Sequence, residues 1–235
     1  MCIRDSDVSE ACDVIAAWDL RLDPDSVGAV VWREFLGDFD SDAHIDSGTL
    51  LRVPFDPNDP VATPRELREP PEDPADDRIL EALAGAVVRL GQAKIPLDAK
   101  LSDAQYTVRA GQRLPIHGGG RNEGVPNLVI YDVLKTTVTD PLPRAPVINE
   151  STGLTDDGYL VNYGSSFVMA MRFTDEDPEA FAFVTYGQSD DPRSPYHVDQ
   201  TEAFSRKEWR EVLYTEEAIE QDPELEIEVI FGFAD

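Results

Sequence analysis

Seven prolines stand between residues 54 and 74 (Pro54, Pro57, Pro60, Pro64, Pro70, Pro71 and Pro74), and they constrain the fold more than any other feature. Proline lacks the backbone donor and locks φ, so this spacing excludes both a helix and a central strand. Aspartates fill the gaps, and no hydrophobic period is sustained from about residue 40 to 78. Two readings are open: a flexible linker, or an extended loop wrapped over the surface. Phe55, Val61 and Leu67 punctuate the stretch as anchors and favour the second.

On either side of this stretch the pattern is helical. Ala11, Val14, Ile15 and Trp18 have i, i+3, i+4, i+7 spacing, which predicts an amphipathic helix from about residue 9. Pro24, within Leu22-Asp23-Pro24-Asp25-Ser26, stops it, and Asp25 or Ser26 is expected to cap a second helix. That helix carries Val27, Val30, Val31, Phe35 and Leu36 on one side, with Trp32 near the edge. After the prolines, Asp76 or Asp77 caps a helix from Arg78 to Gly91, whose core face is Ile79, Leu80, Leu83, Val87 and Leu90.

The remainder reads as β. Leu128 to Tyr131, Val161 to Phe173 and Ala180 to Tyr186 have strand composition. Gly164 to Phe173 is mostly apolar or small, as expected of a strand covered on both faces. A helix is expected over Ser205 to Leu213, and a short one near Thr215. The tail Glu226 to Phe233 could be an edge strand.

The net charge of −27 repels polyphosphate, so nucleic acid is excluded as a partner. No run of eighteen apolar residues spans a membrane. Cys2 and Cys12 are too few for a disulfide framework; they could pair with each other, or Cys12 could pair outside the chain. Met1 to Ser6 resembles translated sequencing adapter, so residues 1–8 are read as a non-native head and the chain as truncated.

Several groupings resemble chemical sites. His117-Gly118-Gly119-Gly120 matches a lipase oxyanion loop, but no Gly-x-Ser-x-Gly elbow accompanies it. Asp38-Phe39-Asp40-Ser41-Asp42 opens like a calcium loop, yet Ala43 and Thr49 stand where Gly and Glu are needed. Asp56, Asp59, Asp73, Asp76 and Asp77 read as solvated loop charges. Ser189 or Ser194 with His197 and Asp199 makes a triad on paper, although a loop bonding its own backbone is the better reading. His44, His117 and His197 lack zinc spacing. No catalytic, cofactor-binding or metal residue is therefore assigned.

Six segments in order resemble the penicillin acylase family, whose members include penicillin, aculeacin and acyl-homoserine-lactone acylases. Glu10 to Asp19 looks like A-C-x-x-L-x-x-W-D, and Asp25 to Ala29 like D-S-x-G-A. Pro54 to Arg65 is similar to F-D-P-x-D-P-V-x-T-P-R, and Leu114 to Asn127 to the L-P-x-H-G-G loop. Gly164 to Phe167 and Tyr186 to Gln200 complete the series, the latter resembling G-Q-S-x-x-P-x-S-P-(H/Y)-x-x-D-Q. Tyr196-His197 reverses the usual His-Tyr order.

The resemblance implies an α+β fold: the C-terminal part of a four-layer αββα N-terminal-nucleophile hydrolase, helices first and mostly antiparallel strands after. Residues 9–113 would form the helical and Pro/Asp-rich wrapping part, and 114–235 the strand-rich part. The catalytic serine, its α-amino base and the oxyanion donors would lie outside this chain, as would the calcium site the family often carries. The implied partners are the rest of the acylase precursor and a small acyl amide substrate, in a periplasmic or secreted setting. Two other readings remain: a non-catalytic acidic or calcium-dependent module, and a free-standing serine esterase using His117 and Ser189.

Overall fold

The computed structural model describes residues 5–40, 50–131, 145–175 and 177–229. Helix α1 (Asp5–Ala17) is already helical at Asp5; Ala11 is buried, and Val14, Ile15 and Trp18 pack against the core as their spacing predicts. Neither Asp25 nor Ser26 caps α2 (Ala29–Leu36). The Ser26 hydroxyl instead donates to Asp19 at 3.2 Å and accepts the Asp23 N–H at 3.3 Å, which tightens the preceding turn. Gly28 is the N-cap, because a Cβ there would stand 2.6 Å from Trp18 Cβ. α2 is buried nearly all round rather than on one side, with Arg33 and Glu34 buried beside Val30 and Val31.

The proline-rich stretch contains a hairpin. Strands β1 (Leu51–Val53) and β2 (Arg65–Leu67) pair antiparallel, Leu51 opposite Leu67, with Pro54, Pro57, Pro60 and Pro64 confined to the connection. The expected anchors fail: Phe55, Val61 and Leu67 are all exposed, Val61 at 97%. Polar contacts hold the loop instead. The Thr63 hydroxyl donates to the Asp59 carbonyl at 2.7 Å and accepts the Asp56 N–H at 2.8 Å. The Asp56 carboxylate accepts the Asn58 N–H at 2.8 Å, a turn that aspartate favours.

Asp77 caps α3 (Arg78–Gln92), accepting from the Ile79 and Leu80 N–H groups at 2.9 and 3.2 Å. It is buried rather than solvated. Ala82, Leu83, Ala86, Val87 and Leu90 form the core face, while Leu80 lies on the exposed side. A short helix α4 (Leu101–Ala104) leads into β3 (Gln105–Arg109), which turns back as β4 (Gln112–Pro115).

After β5 (Val129–Tyr131) come β6 (Val147–Asn149) and β7 (Leu154–Thr155), a separate two-stranded pair. The strand expected from Val161 to Phe173 is two strands, β8 (Tyr159–Gly164) and β9 (Phe167–Arg172). Between them the chain changes sheets: the Ser165 N–H donates to the Leu128 carbonyl, while the Ser166 carbonyl accepts from the Thr185 N–H, both at 3.0 Å. One sheet has the order β4-β3-β8-β5, parallel only at β3 and β8. The other runs β11-β10-β9, all antiparallel, with β10 at Glu179–Val184 and β11 at Arg210–Glu211. Helices with mixed sheets make this an α+β fold.

β9 is not covered on both faces. It is an edge strand among the described residues, and Phe167, Met169 and Met171 stay exposed. No helix covers Ser205 to Leu213 either. Helix α5 (Asp199–Ser205) closes early because Lys207 turns left-handed at φ 57° and the Glu208 N–H bonds back to the Ala203 carbonyl. Arg210 and Glu211 are thereby free to pair with β10. Thr215 does cap α6 (Glu216–Glu220). Glu226 to Val229 form no strand, and 230–233 lie outside the described residues.

One hydrophobic core joins α1, α2 and α3 to β5, β8, β10 and α5. Among the described residues no helix is long and apolar enough to cross a membrane.

Candidate functional site

The loop from Tyr186 to Gln200 is closed by its own backbone. Gly187 takes φ +87°, where a Cβ would meet the His197 carbonyl oxygen at 2.3 Å. Glycine is required there on both counts. The Gln188 N–H donates to the Tyr196 carbonyl at 2.9 Å, and the Ser194 N–H to the Asp191 carbonyl at 2.9 Å. The serine hydroxyls accept from backbone: Ser189 from the Asp191 N–H and Ser194 from the Tyr196 N–H, each at 3.2 Å. His197 directs Nδ1 at the Ser189 carbonyl oxygen, 2.8 Å away, so that nitrogen carries the proton. Asp199 bonds the Gln200 amide at 2.9 Å. The paper triad of Ser189 or Ser194, His197 and Asp199 is thus not assembled: each hydroxyl serves a turn, and the histidine serves a carbonyl.

Arg193 forms a two-pronged pair with Asp191, whose hydrogen bonds hold the Asp191 carboxyl below its ordinary range. Tyr186 enters from the strand side under the Arg109 guanidinium, 5.1 Å above its ring, and burial pushes its phenol up to about 12.

The His117 loop is equally committed. An oxyanion hole needs unengaged N–H groups. Here the Gly118 N–H donates to the Leu22 carbonyl at 2.9 Å, Gly119 to the Asn127 carbonyl at 3.2 Å, and Gly120 to the Glu123 carboxylate at 2.6 Å. His117 Nε2 lies 3.1 Å from the Phe204 carbonyl and Nδ1 lies 3.0 Å from the Asn127 amide nitrogen, which fixes the Nε2-protonated tautomer. Burial lowers the His117 pKa, and the nearby Lys207 lowers it further.

Beneath this loop lies a buried ionic network that the sequence reading did not find. Arg33, 3% exposed, donates through Nε to both Glu123 oxygens at 3.0 and 3.1 Å. Its guanidinium faces the rings of Tyr159 and Tyr131, at 4.7 and 5.3 Å. Burial pulls the Arg33 pKa down, but Glu123, Tyr131 and Tyr159 together outweigh it and the net shift is upward. Glu34, 0% exposed, accepts from Tyr159 at 2.8 Å, Arg89 at 2.8 Å and Asn149 at 2.9 Å. Gln105 ties the network to the loop, donating to the Ile116 and Gly118 carbonyls and accepting from Tyr131.

A cavity of about 650 Å³ opens beside Arg33, Glu123 and Tyr131, walled on the far side by Ser151 and Thr152. Among the described residues its charged lining is the Arg33–Glu123 ion pair and Arg121. The only sequence signal for this network was Arg33-Glu34 interrupting an apolar helix.

Of the calcium-loop residues, Asp38 pairs with Arg89 at 3.1 Å, while Ser41 and Asp42 lie outside the described residues, as does His44. Among the described residues no cluster of three or more His, Cys, Asp or Glu is placed to hold a metal. Cys12 is an exposed thiol, and Cys2 lies outside the described residues.

A family model described as penicillin amidase matches residues 3–221. The chain is 31% identical over 221 residues to the acyl-homoserine lactone acylase PvdQ of Pseudomonas syringae pv. syringae (strain B728a), covering 93% of this chain and 25% of the relative. It is 33% identical over 222 residues to the aculeacin-A acylase of Actinoplanes utahensis, covering 94% and 24%. The PvdQ acylase of Pseudomonas fluorescens (strain Pf0-1) is 32% identical over 230 residues, covering 95% and 25%. The chain therefore spans about a quarter of the length of the curated relatives it matches.

Proposed function

The chain belongs to the penicillin amidase family, and from that membership we propose that it is one part of an amidohydrolase that cleaves acyl amide bonds. The family match across residues 3–221 carries the reading. Two relatives are named for an acyl-homoserine lactone and for aculeacin A, which supports a substrate among acyl-homoserine lactones or lipopeptides rather than penicillin.

In this reading the nucleophile is an N-terminal serine outside the chain. Its hydroxyl attacks the amide carbonyl carbon while its own α-amino group takes the proton. The C–N bond breaks and the amine leaves with that proton. Water then attacks the ester, releasing the carboxylic acid and the free serine. This chain would supply strands and covering helices to a four-layer αββα body, in a periplasmic or secreted setting, with any calcium held elsewhere.

Two local observations support a structural share. The serine hydroxyls of the signature loop accept from backbone N–H groups, and the Gly118 to Gly120 amides are all engaged.

The test is release of homoserine lactone from an N-acyl-homoserine lactone, followed by chromatography, for the chain alone and for the genomic polypeptide that carries it. Turnover is expected only from the latter. Labelling of the isolated chain by a fluorophosphonate would replace this reading with a serine esterase, and calcium-dependent melting without amidase activity would favour a binding module.

A further inference from the structure

The loop from His117 to Asn127 is joined end to end by one side chain. The Asn127 amide nitrogen donates to the His117 carbonyl at 2.7 Å and to His117 Nδ1 at 3.0 Å. The other amide atom, Oδ1, is buried without a hydrogen-bond partner. Between these ends Gly118 and Gly124 take left-handed backbone, at φ +101° and +70°, on either side of a single 3-10 turn, Arg121–Glu123. Glu123 pairs with Arg33 at 3.0 Å, and together with Gly120, Arg121 and Asn122 it walls the cavity of about 650 Å³.

This staple fits only a neutral imidazole. Nε2 donates to the Phe204 carbonyl at 3.1 Å, so Nδ1 must accept from Asn127. A second proton, on Nδ1, sets donor against donor. Turning the amide over offers Oδ1 to that proton but withdraws the amide nitrogen from the His117 carbonyl. One amide therefore satisfies both groups of a neutral His117 and only one group of a charged one. Without the staple, the neck of the loop keeps three backbone bonds: Gly118 to Leu22, Gly119 to Asn127, and Val129 to Gly119.

We propose that His117 and Asn127 form an acid-released latch, in which a second proton on His117 unfastens the loop and frees the cavity wall carrying Glu123 to move off Arg33. The charged groups that bear on the imidazole among the described residues are Lys207, at the end of α5, and Asp23, in the turn before α2, which pair with each other. Lys207 opposes the second proton and Asp23 favours it, while the Phe204 ring packs on the imidazole at 4.3 Å. Burial and Lys207 keep His117 neutral through the neutral range, so the latch opens only below about pH 6.5. Helix α5 stays docked in either state, because Nε2 keeps the Phe204 carbonyl and the Ser205 hydroxyl keeps the Pro115 carbonyl at 2.6 Å. The motion is confined to the loop.

Hydrogen exchange read by mass spectrometry on the genomic polypeptide tests this, with the His117 C2 proton reporting protonation and the backbone amides reporting opening. Neither readout depends on amide hydrolysis. Protection of Gly118 to Glu123, corrected for intrinsic rate, should fall about tenfold or more as His117 titrates, with Ala86 and Leu90 of α3 unchanged. His117→Gln should abolish the fall. Asn127→Asp should invert it, because a carboxylate cannot donate to neutral Nδ1 but accepts from the charged ring, so acid would then raise loop protection. Loop protection constant through the His117 titration overturns the latch, as does a loss shared with α3 or a fall that persists in Asn127→Asp.

Discussion

The Tyr159 hydroxyl donates to the Glu34 carboxylate at 2.8 Å, while the face of the same ring lies 4.7 Å from the Arg33 guanidinium. One aromatic side chain thus serves two consecutive, oppositely charged residues inside the core. Each charge is paired, which offsets much of the burial cost, although Arg33 Nη1 and Nη2 find no hydrogen-bond partner among the described residues. The same arrangement makes the core sensitive to losing any one partner.

Glu34→Ala is expected to cost about 3–5 kcal/mol, since it removes the buried carboxylate that accepts from Arg89 Nε and from the Tyr159 hydroxyl. Urea unfolding measures this as a lower midpoint at unchanged slope. Glu34→Leu combined with Arg89→Met should recover part of the loss, because the charge left without its partner, Asp38, is partly exposed. Equal destabilisation by the single and double variants would contradict the pairing.

His117 gives the stability a pH dependence. Its folded pKa lies below the ordinary 6.5, through burial and then Lys207, so the unfolded chain binds the proton more readily. The contribution is complete above about pH 6.5 and is lost as pH falls through the folded value. His117→Gln should flatten the difference in unfolding free energy between about pH 8 and pH 5.5. An unchanged pH profile in that variant would assign the dependence elsewhere.

Gly187→Ala should destabilise by about 2 kcal/mol or more, combining a left-handed backbone with a blocked Cβ position. Gly111 is the control, for it has φ +76° but nothing within 4 Å of a Cβ. Gly111→Ala should cost only about 1 kcal/mol, the conformational share. Thermal melts of the two variants separate contact from strain.

Asp77→Ala removes acceptors for two N–H groups at the start of α3 and should cost about 0.5–2 kcal/mol. Asp77→Asn should retain most of that stability. Amide exchange at Ile79 and Leu80 is the direct readout, and protection unchanged in the alanine variant would refute the cap.

Local chemistry was legible wherever partners are near in sequence. Asp77 and α3, the spacing of Ala11, Val14, Ile15 and Trp18, the Thr215 cap and the self-bonded loop after Tyr186 all follow from contacts within a few residues. Long-range pairing was not. Nothing in Arg33-Glu34 announces Glu123, Arg89 or Tyr159, and the sequence reading assigned neither residue a place. Periodicity overreached at Leu80, which belongs to an exposed side. At Phe55, Val61 and Leu67, where no period exists, apolar character alone was mistaken for burial. The Ser205 to Leu213 helix failed because the left-handed turn at Lys207 and pairing with β10 outweighed helical propensity. At the candidate site the sequence already disfavoured the triad and the oxyanion loop, and the hydrogen-bond directions show what those residues do instead.

The partners of Glu34 lie 55, 115 and 125 residues further along the chain. Its carboxylate can leave water only once those segments have arrived, so closure of long loops precedes the reward. An early intermediate that buried α2 against α3 alone would hold a charge lacking Tyr159 and Asn149. The helix at the centre of the finished core therefore has its full set of partners only when segments more than a hundred residues apart in the chain are in place.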